Sequence, residues 1–229
     1  MAGPRTPRHH RPLSRRTLLG GSVIAGGMLL AAGSDLVLPR TAGAAAAPRV
    51  YTRQEWSARP PSSPITVLDR KPDHIVVHHT ASGNTPDYSR IQAARISHWI
   101  QDLHMDTNGW ADAGQQLTIS RGGYVLEGRD RSLWAINNGR HVRGAHTGSH
   151  NDHTIGIENE GIYVDQDTTP MLFDALVQTC AWLCTAYQLD PHQAIVGHRD
   201  YNSTQCPGNV LYARLPELRD RVAQVLDAS

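Results

Sequence analysis

Lysine is almost missing from this chain: Lys71 is the only one among 229 residues. That excludes a lysine base or a Schiff-base lysine at every other position. Cysteine is scarce too, with three residues, too few for a disulfide scaffold in a chain this long. Cys180 and Cys184 stand one helical turn apart, where a bridge would close a trivial loop with little entropic gain. Burial inside a helix is their expected role. Cys206 differs, because a turn rather than an apolar face surrounds it. No run is long and apolar enough for a comfortable membrane span: Thr17 to Gly33 is short and loosened by glycine.

The start of the chain reads as an export signal rather than as part of a fold. A basic head (Arg5, Arg8, Arg11, Arg15, Arg16) precedes the apolar run, and Ala42-Gly-Ala44 offers a small-x-small cleavage site. Ser14-Arg-Arg-Thr-Leu-Leu19 resembles the twin-arginine signal, which addresses folded cargo out of a bacterial cytoplasm. Residues 1–46 are therefore expected to be signal and linker, and 47–229 one domain, secreted to the cell-wall side with no stable membrane anchor after cleavage. Six arginines and one aspartate lie in 1–46; of 22 basic and 21 acidic residues, 16 and 20 remain, net −4. A basic nucleic-acid footprint is absent, so no nucleic-acid partner is expected.

Along the domain, Ile75 to Val77 is a β-branched run that predicts a buried strand with His78 at its exit. Asp87 or Ser89 caps a helix carrying Ile91, Ala94, Ile96, Ile100 and Leu103. Gln116 to Ser120 and Tyr124 to Glu127 predict a hairpin about Gly122-Gly123. Asn137 to His153 reads as a loop, followed by a strand over Thr154 to Glu158. Pro170 opens a helix that repeats Leu172, Leu176, Cys180 and Leu183 on one face. Ala194 to Val196 is a last strand ending at His198, and Leu211 to Leu226 a closing helix. Alternating strands and helices predict an α/β fold: a three-layer single domain, its mixed central sheet flanked by helices.

His78, Glu158 and His198 all fall at predicted strand ends, where sites gather in such sheets. His198 and Cys206 are eight positions apart, with Pro207-Gly208 fixing the turn after the thiol. Two imidazoles and one thiolate give zinc three ligands and leave a fourth position open, the pattern of a catalytic site. Zn2+ is thus the expected cofactor. An acyl-transfer reaction also needs a proton shuttle, and Glu158, at the end of an apolar strand, has the burial that raises a carboxyl pKa. The opposing reading places Glu158 and Glu160 together on an exposed strand face.

Several motifs resemble the type-2 N-acetylmuramoyl-L-alanine amidases, which include peptidoglycan recognition proteins and phage lysozyme-type amidases. They are Glu55-Trp-Ser-Ala-Arg-Pro-Pro61, Val76-Val-His-His-Thr-Ala81, His104-Met-Asp-Thr-Asn-Gly-Trp110, Gly144-Ala-His-Thr147, Ile155-Gly-Ile-Glu158, and Gly197-His-Arg-Asp200 with Cys206-Pro-Gly-Asn209. The resemblance implies zinc held by His78, His198 and Cys206, and hydrolysis of the amide joining the lactyl group of N-acetylmuramic acid to L-alanine in peptidoglycan. Two positions depart from the pattern. Gln115 stands where the recognition proteins carry a catalytic tyrosine, and Thr204 where phage relatives carry a lysine. An amide transfers no proton at neutral pH. The Ile-Gly-Ile-Glu pattern is similar to the branch that uses that glutamate as acid and base.

The expected machinery is therefore Glu158 as shuttle, Thr204 as oxyanion donor, and His146 and Gln115 as substrate contacts, in a monomer acting on peptidoglycan or muropeptides. A binding module that recognises peptidoglycan without cleaving it is the alternative, as is a zinc peptidase acting on other amides.

Overall fold

The computed structural model describes residues 45–229. Of the signal and linker expected over residues 1–46, residues 1–44 lie outside the described residues. At their start, Ala45 is buried and its amide donates to Thr185 Oγ1.

The eight strands among the described residues are β1 (Val50–Tyr51), β2 (Val67–Leu68), β3 (His74–His79), β4 (Leu117–Ile119), β5 (Val125–Glu127), β6 (His141–Val142), β7 (Thr154–Asn159) and β8 (Ile195–Gly197). Six of them form one mixed sheet in the order β1-β5-β4-β7-β3-β8, while β2 and β6 make a separate antiparallel ribbon. β4, β7, β3 and β8 run parallel, so their carboxyl ends open on one edge; β4 and β5 form the expected antiparallel hairpin. β3 is central, and Ile75, Val76 and Val77 have no exposed surface. Strands covered on both faces read as unbroken apolar runs, as this one does.

The helices are α1 (Arg90–Asp102), α2 (Ser132–Asn137), α3 (Pro170–Tyr187), α4 (Pro191–Ala194), α5 (Asn209–Ala213) and α6 (Leu215–Asp227). Thr169 caps α3 by accepting from the Leu172 amide, and Pro170 occupies its first turn. Leu172, Leu176, Cys180 and Leu183 then line up against Ile75, Val77, Ile155 and Ile157 of the sheet, joined by Leu215, Leu218 and Val222 of α6. Fully burying each leucine contributes about 1.5–3 kcal/mol, which makes this face the stabilising core. Cys180 and Cys184 are free thiols within it.

The opposite sheet face carries β3 residues His74, Val76 and His78 and is covered in part by α1, through Ala93, Leu126 and Trp56. Ser89 caps α1 as expected, accepting from the Gln92 amide. The periodicity is corrected at one position: Ile91 is 62% exposed, and the packed face runs through Ala93, Ile96, Ser97 and Ile100. Trp56 is buried and donates from Nε1 to the Glu127 carbonyl at 2.9 Å. Helices on both faces of a mixed sheet give the three-layer α/β architecture read from the sequence.

Candidate metal centre

Strand register builds the site. His78 on β3 pairs directly with Glu158 on β7, and Glu158 pairs on its other side with Thr118 on β4. Neighbouring strands lie about 4.8 Å apart, so these three side chains stand in a row on one face. On the other side of β3, Gly197 of β8 pairs with Val77, and His198 follows it immediately. The His78 and His198 rings lie 4.5 Å apart between centroids.

Cys206 arrives on a loop that the His198 turn itself clamps. Arg199 hydrogen-bonds the carbonyls of Cys206 and Gln205 and the Asn209 side chain, and lies over the Tyr212 ring at 4.6 Å. Asp200 accepts from the Gly197 amide at 2.7 Å. The Gly-His-Arg-Asp motif therefore supplies a ligand, a loop clamp and a turn cap in successive residues. Cys206 Sγ ends 3.6 Å from His78 Nδ1. Metal-ligating atoms of His78, His198 and Cys206 all fall within 4.8 Å of one another.

The second nitrogen of each imidazole is already engaged. His198 Nε2 meets Asn202 Oδ1 at 3.1 Å, which leaves Nδ1 as its ligand atom. His78 Nε2 meets His146 Nδ1 at 3.0 Å, and His146 Nε2 points at the Thr154 carbonyl at 3.3 Å. A carbonyl only accepts, so His146 carries its proton on Nε2, and its Nδ1 accepts from His78 Nε2 and from the Thr147 hydroxyl at 2.8 Å. His78 Nδ1 is then bare and aimed at the thiol, the tautomer a metal ligand needs. The niche for His146 comes from missing side chains: a Cβ on Gly156 would sit 2.7 Å from its ring, and one on Gly144 2.5 Å.

Burial sets the electrostatics. It holds His78 well below the usual imidazole range, with the His146 and His198 charges adding to it, and His146 at about 3. Both stay neutral ligand-side groups. Burial, followed by the Glu158 charge, pushes the Cys206 thiol up. Glu158 is partly buried as a residue, yet its Oε2 has neither solvent contact nor a hydrogen-bond partner. Burial alone pushes its carboxyl up to about 8. Two bare nitrogens and a thiol costly to ionise alone, meeting around one point, are a donor set that a borderline-soft divalent cation such as zinc satisfies, and the orphaned carboxyl oxygen of Glu158 lies in the same cleft.

These groups line a cleft of about 290 Å³ together with His79, Ala81, His104, Trp110, Ala145 and Thr204. Thr204 is exposed at its mouth and accepts the Cys206 amide on Oγ1, leaving its hydroxyl proton free. The two expected substrate contacts differ in placement. His146 sits behind His78, 9% exposed, and reaches the cleft only as part of its wall. Gln115 is 1% exposed and outside the cleft, its Nε2 donating to Thr118 Oγ1 at 2.9 Å. Glu160 does not share an exposed face with Glu158; it is buried, accepting from Gln92 and the Arg121 amide. His79, His104 and Trp110 have no role legible in the sequence. His104 stacks on Trp110 at 4.6 Å and accepts the Gly114 amide on Nδ1, while His79 Nδ1 accepts the Tyr163 amide.

The family profile "N-acetylmuramoyl-L-alanine amidase" matches residues 68–209, the stretch that carries β3, β7, β8 and all three candidate ligands. The chain belongs to this family. A human N-acetylmuramoyl-L-alanine amidase is 33% identical over 170 residues, covering 72% of this chain. The chain spans 27% of the length of the human and pig amidases it matches. Peptidoglycan-recognition protein SC2 of Drosophila melanogaster is 33% identical over 165 residues, 71% of this chain and 82% of that protein. Among solved structures, Drosophila PGRP-LB superposes with a TM-score of 0.64 at 27% identity, covering 73% of this chain and 92% of its own. A variant of that protein is solved in complex with tracheal cytotoxin. The amidase LysC of Clostridium intestinale shares the fold, with a TM-score of 0.60 at 22% identity over 77% of this chain and 98% of its own. Within this family, the His78, His198 and Cys206 cluster occupies the edge where the parallel strands end.

Proposed function

We propose that the chain is a zinc-dependent amidase that cleaves the bond between the lactyl group of N-acetylmuramic acid and L-alanine in peptidoglycan. The observation that carries this reading is the meeting of His78, His198 and Cys206 beside an orphaned Glu158 carboxyl in one cleft. The family includes members that only bind peptidoglycan. A complete set of two nitrogen donors and one sulfur donor, beside a carboxyl poised near 8, favours catalysis. His78, His198 and Cys206 would hold a zinc ion, which would supply Lewis acidity to the scissile carbonyl and a more acidic water.

The chain's own residues supply the rest. As a carboxylate, the form that a cation held nearby would favour, Glu158 can take a proton from the attacking water on Oε2; as the resulting acid it can return one to the departing alanine amine. Burial without a partner keeps Oε2 free for that exchange. The Thr204 hydroxyl donates to negative charge developing on the carbonyl oxygen. His146 and Asn202 hold the two imidazoles in their ligating tautomers. The sugar-peptide substrate fits an open cleft whose rim is a stacked Trp110–His104 pair.

Digestion of purified muropeptides, read by mass spectrometry, tests the reading. Free peptide beginning at L-alanine, together with intact lactyl-bearing sugar, is the expected product. Glu158→Gln should lower kcat by about 10²–10⁴-fold with zinc content unchanged. Binding without cleavage by zinc-loaded wild-type protein would instead establish the recognition-module reading, which the buried Gln115 in place of a tyrosine favours.

Export belongs to the same proposal, because the substrate lies outside the cytoplasm. The Arg15-Arg16 pair and the Ala42-Gly-Ala44 site support a twin-arginine route, which would let the thiolate bind its metal in a reducing compartment first. A reporter fusion with both arginines changed to lysine should stay inside the cell.

A further inference from the structure

A second group of ligating side chains lies at the opposite end of β3. Asp73, just before the strand, places Oδ1 2.6 Å from His74 Nδ1 and 2.7 Å from His153 Nδ1. Ligating atoms of the three residues fall within 4.8 Å of one another. They come from adjacent chain segments: the Asp73 and His74 amides both donate to the His153 carbonyl, and His74 pairs with Thr154 across β3 and β7. His153 has a partner behind it as well, its Nε2 lying 3.2 Å from His150 Nδ1. Tyr201 packs among the three imidazoles, at 4.4 Å from His150, 5.8 Å from His153 and 5.9 Å from His74.

We infer that Asp73, His74 and His153 form a second divalent-cation site, selective for imidazole-seeking metals such as zinc, nickel or copper. Two nitrogens and one carboxylate oxygen make a three-ligand set that such ions prefer and calcium or magnesium does not. Asp73 is 54% exposed at its side chain, against 34% for His74 and 26% for His153, so an ion enters from solvent and keeps water on its open side. In the present geometry both Nδ1 atoms donate to Asp73 Oδ1; an ion would take the place of those protons, and His150 behind His153 Nε2 would then accept its proton, the arrangement usual behind a ligating histidine. Small outward movements of three surface side chains open the present contacts to ligand spacing.

The site is a clamp rather than a second half of the cleft. His74 and His78 are four residues apart on one strand, about 13 Å at 3.3 Å per residue, whereas paired catalytic metals sit about 3.5–4 Å apart. What the ion ties together are the first residues of β3 and β7, whose far ends carry His78 and Glu158. Tyr201 adds the turn that begins at His198. Loading should therefore stiffen the frame that holds the cleft without touching substrate.

Cobalt(II) titration of the full chain, stripped by a chelator, separates the two sites. The cleft site contains a thiolate and gives a sulfur-to-metal charge-transfer band; the Asp73 site gives only weak ligand-field bands. Two equivalents are expected in the wild type. His74→Ala and His153→Ala should each bind one equivalent with the charge-transfer band intact, and Cys206→Ser should bind one without it. Asp73→Asn, close to the native shape, guards against misfolding and should also lose one equivalent. A wild-type stoichiometry of one with the charge-transfer band intact, or two equivalents retained by both histidine variants, overturns the second site. Loss of the charge-transfer band in wild type would count against the cleft site alone, so the two readings fail separately.

Discussion

His146 Nδ1 lies 3.0 Å from His78 Nε2, so a residue outside the donor set decides which nitrogen of His78 faces Cys206. Removing that partner should cost more than its distance from the cation suggests. His146→Ala should weaken zinc binding about 10–100-fold, the usual loss when such a partner is removed. Gly156→Ala should do the same by pushing the ring out of its niche. Chelator competition measures both, and affinities within twofold of wild type would remove His146 from this role.

The pH dependence of stability should show two opposed limbs in metal-free protein. Glu158 titrates near 8 in the fold and near 4.5 unfolded, so the folded state binds more protons between those values. Its contribution is full below 4.5 and lost as pH rises through 8. Burial lowers His146 to about 3, His79 and His104 to about 4, and His78 well below 6.5. Their contributions are full above 6.5 and lost as pH falls. Stability should thus peak near 6.5 and decline toward 8 on the Glu158 limb. Urea midpoints with chelator present check this: Glu158→Gln should flatten the alkaline limb, and a flat wild-type profile would refute the assignment.

Asp112 is the buried hub of the loop beneath the cleft. It accepts from Gln101 Nε2 at 2.7 Å and the Asp130 amide at 2.8 Å, and pairs with Arg53, whose side chain is 11% exposed. Asp112→Ala removes the nearer carboxylate from a nearly buried guanidinium, which keeps the Gly128 and Arg59 carbonyls and Asp130 at 3.6 Å, and leaves the Asp130 amide without its acceptor. The loss should be about 3–5 kcal/mol in urea denaturation, the usual cost of breaking a buried pair by removing one partner. A loss below about 1 kcal/mol would mean that water replaces the carboxylate.

The sequence is most legible where chemistry and periodicity coincide. β3 and β7 end one residue after His78 and Glu158, β8 ends just before His198, and strand pairing brings those residues together. It is least legible where side chains act sideways. Gln115 holds a motif position, but only three dimensions show that its amide turns down to Thr118 and away from the cleft. α2 and β6 leave little trace in the sequence, because α2 is entered through Arg131 in the left-handed region (φ 66°), with no side-chain cap, and β6 is two residues long. The expected closing helix is two: Pro216 has no amide to give to the Tyr212 carbonyl, so α5 stops and α6 begins. His104 has no strand-end signature, and its place in the wall depends on the π-helical turn Leu103–Thr107 after α1.

The niche behind His78 is walled on two sides by main chain, because Gly144 and Gly156 contribute no Cβ. Vacating it through His146→Ala leaves a planar slot whose outline neighbouring side chains cannot relax to fill. Free imidazole added to that variant should dock there as a spare part and restore zinc affinity from solution.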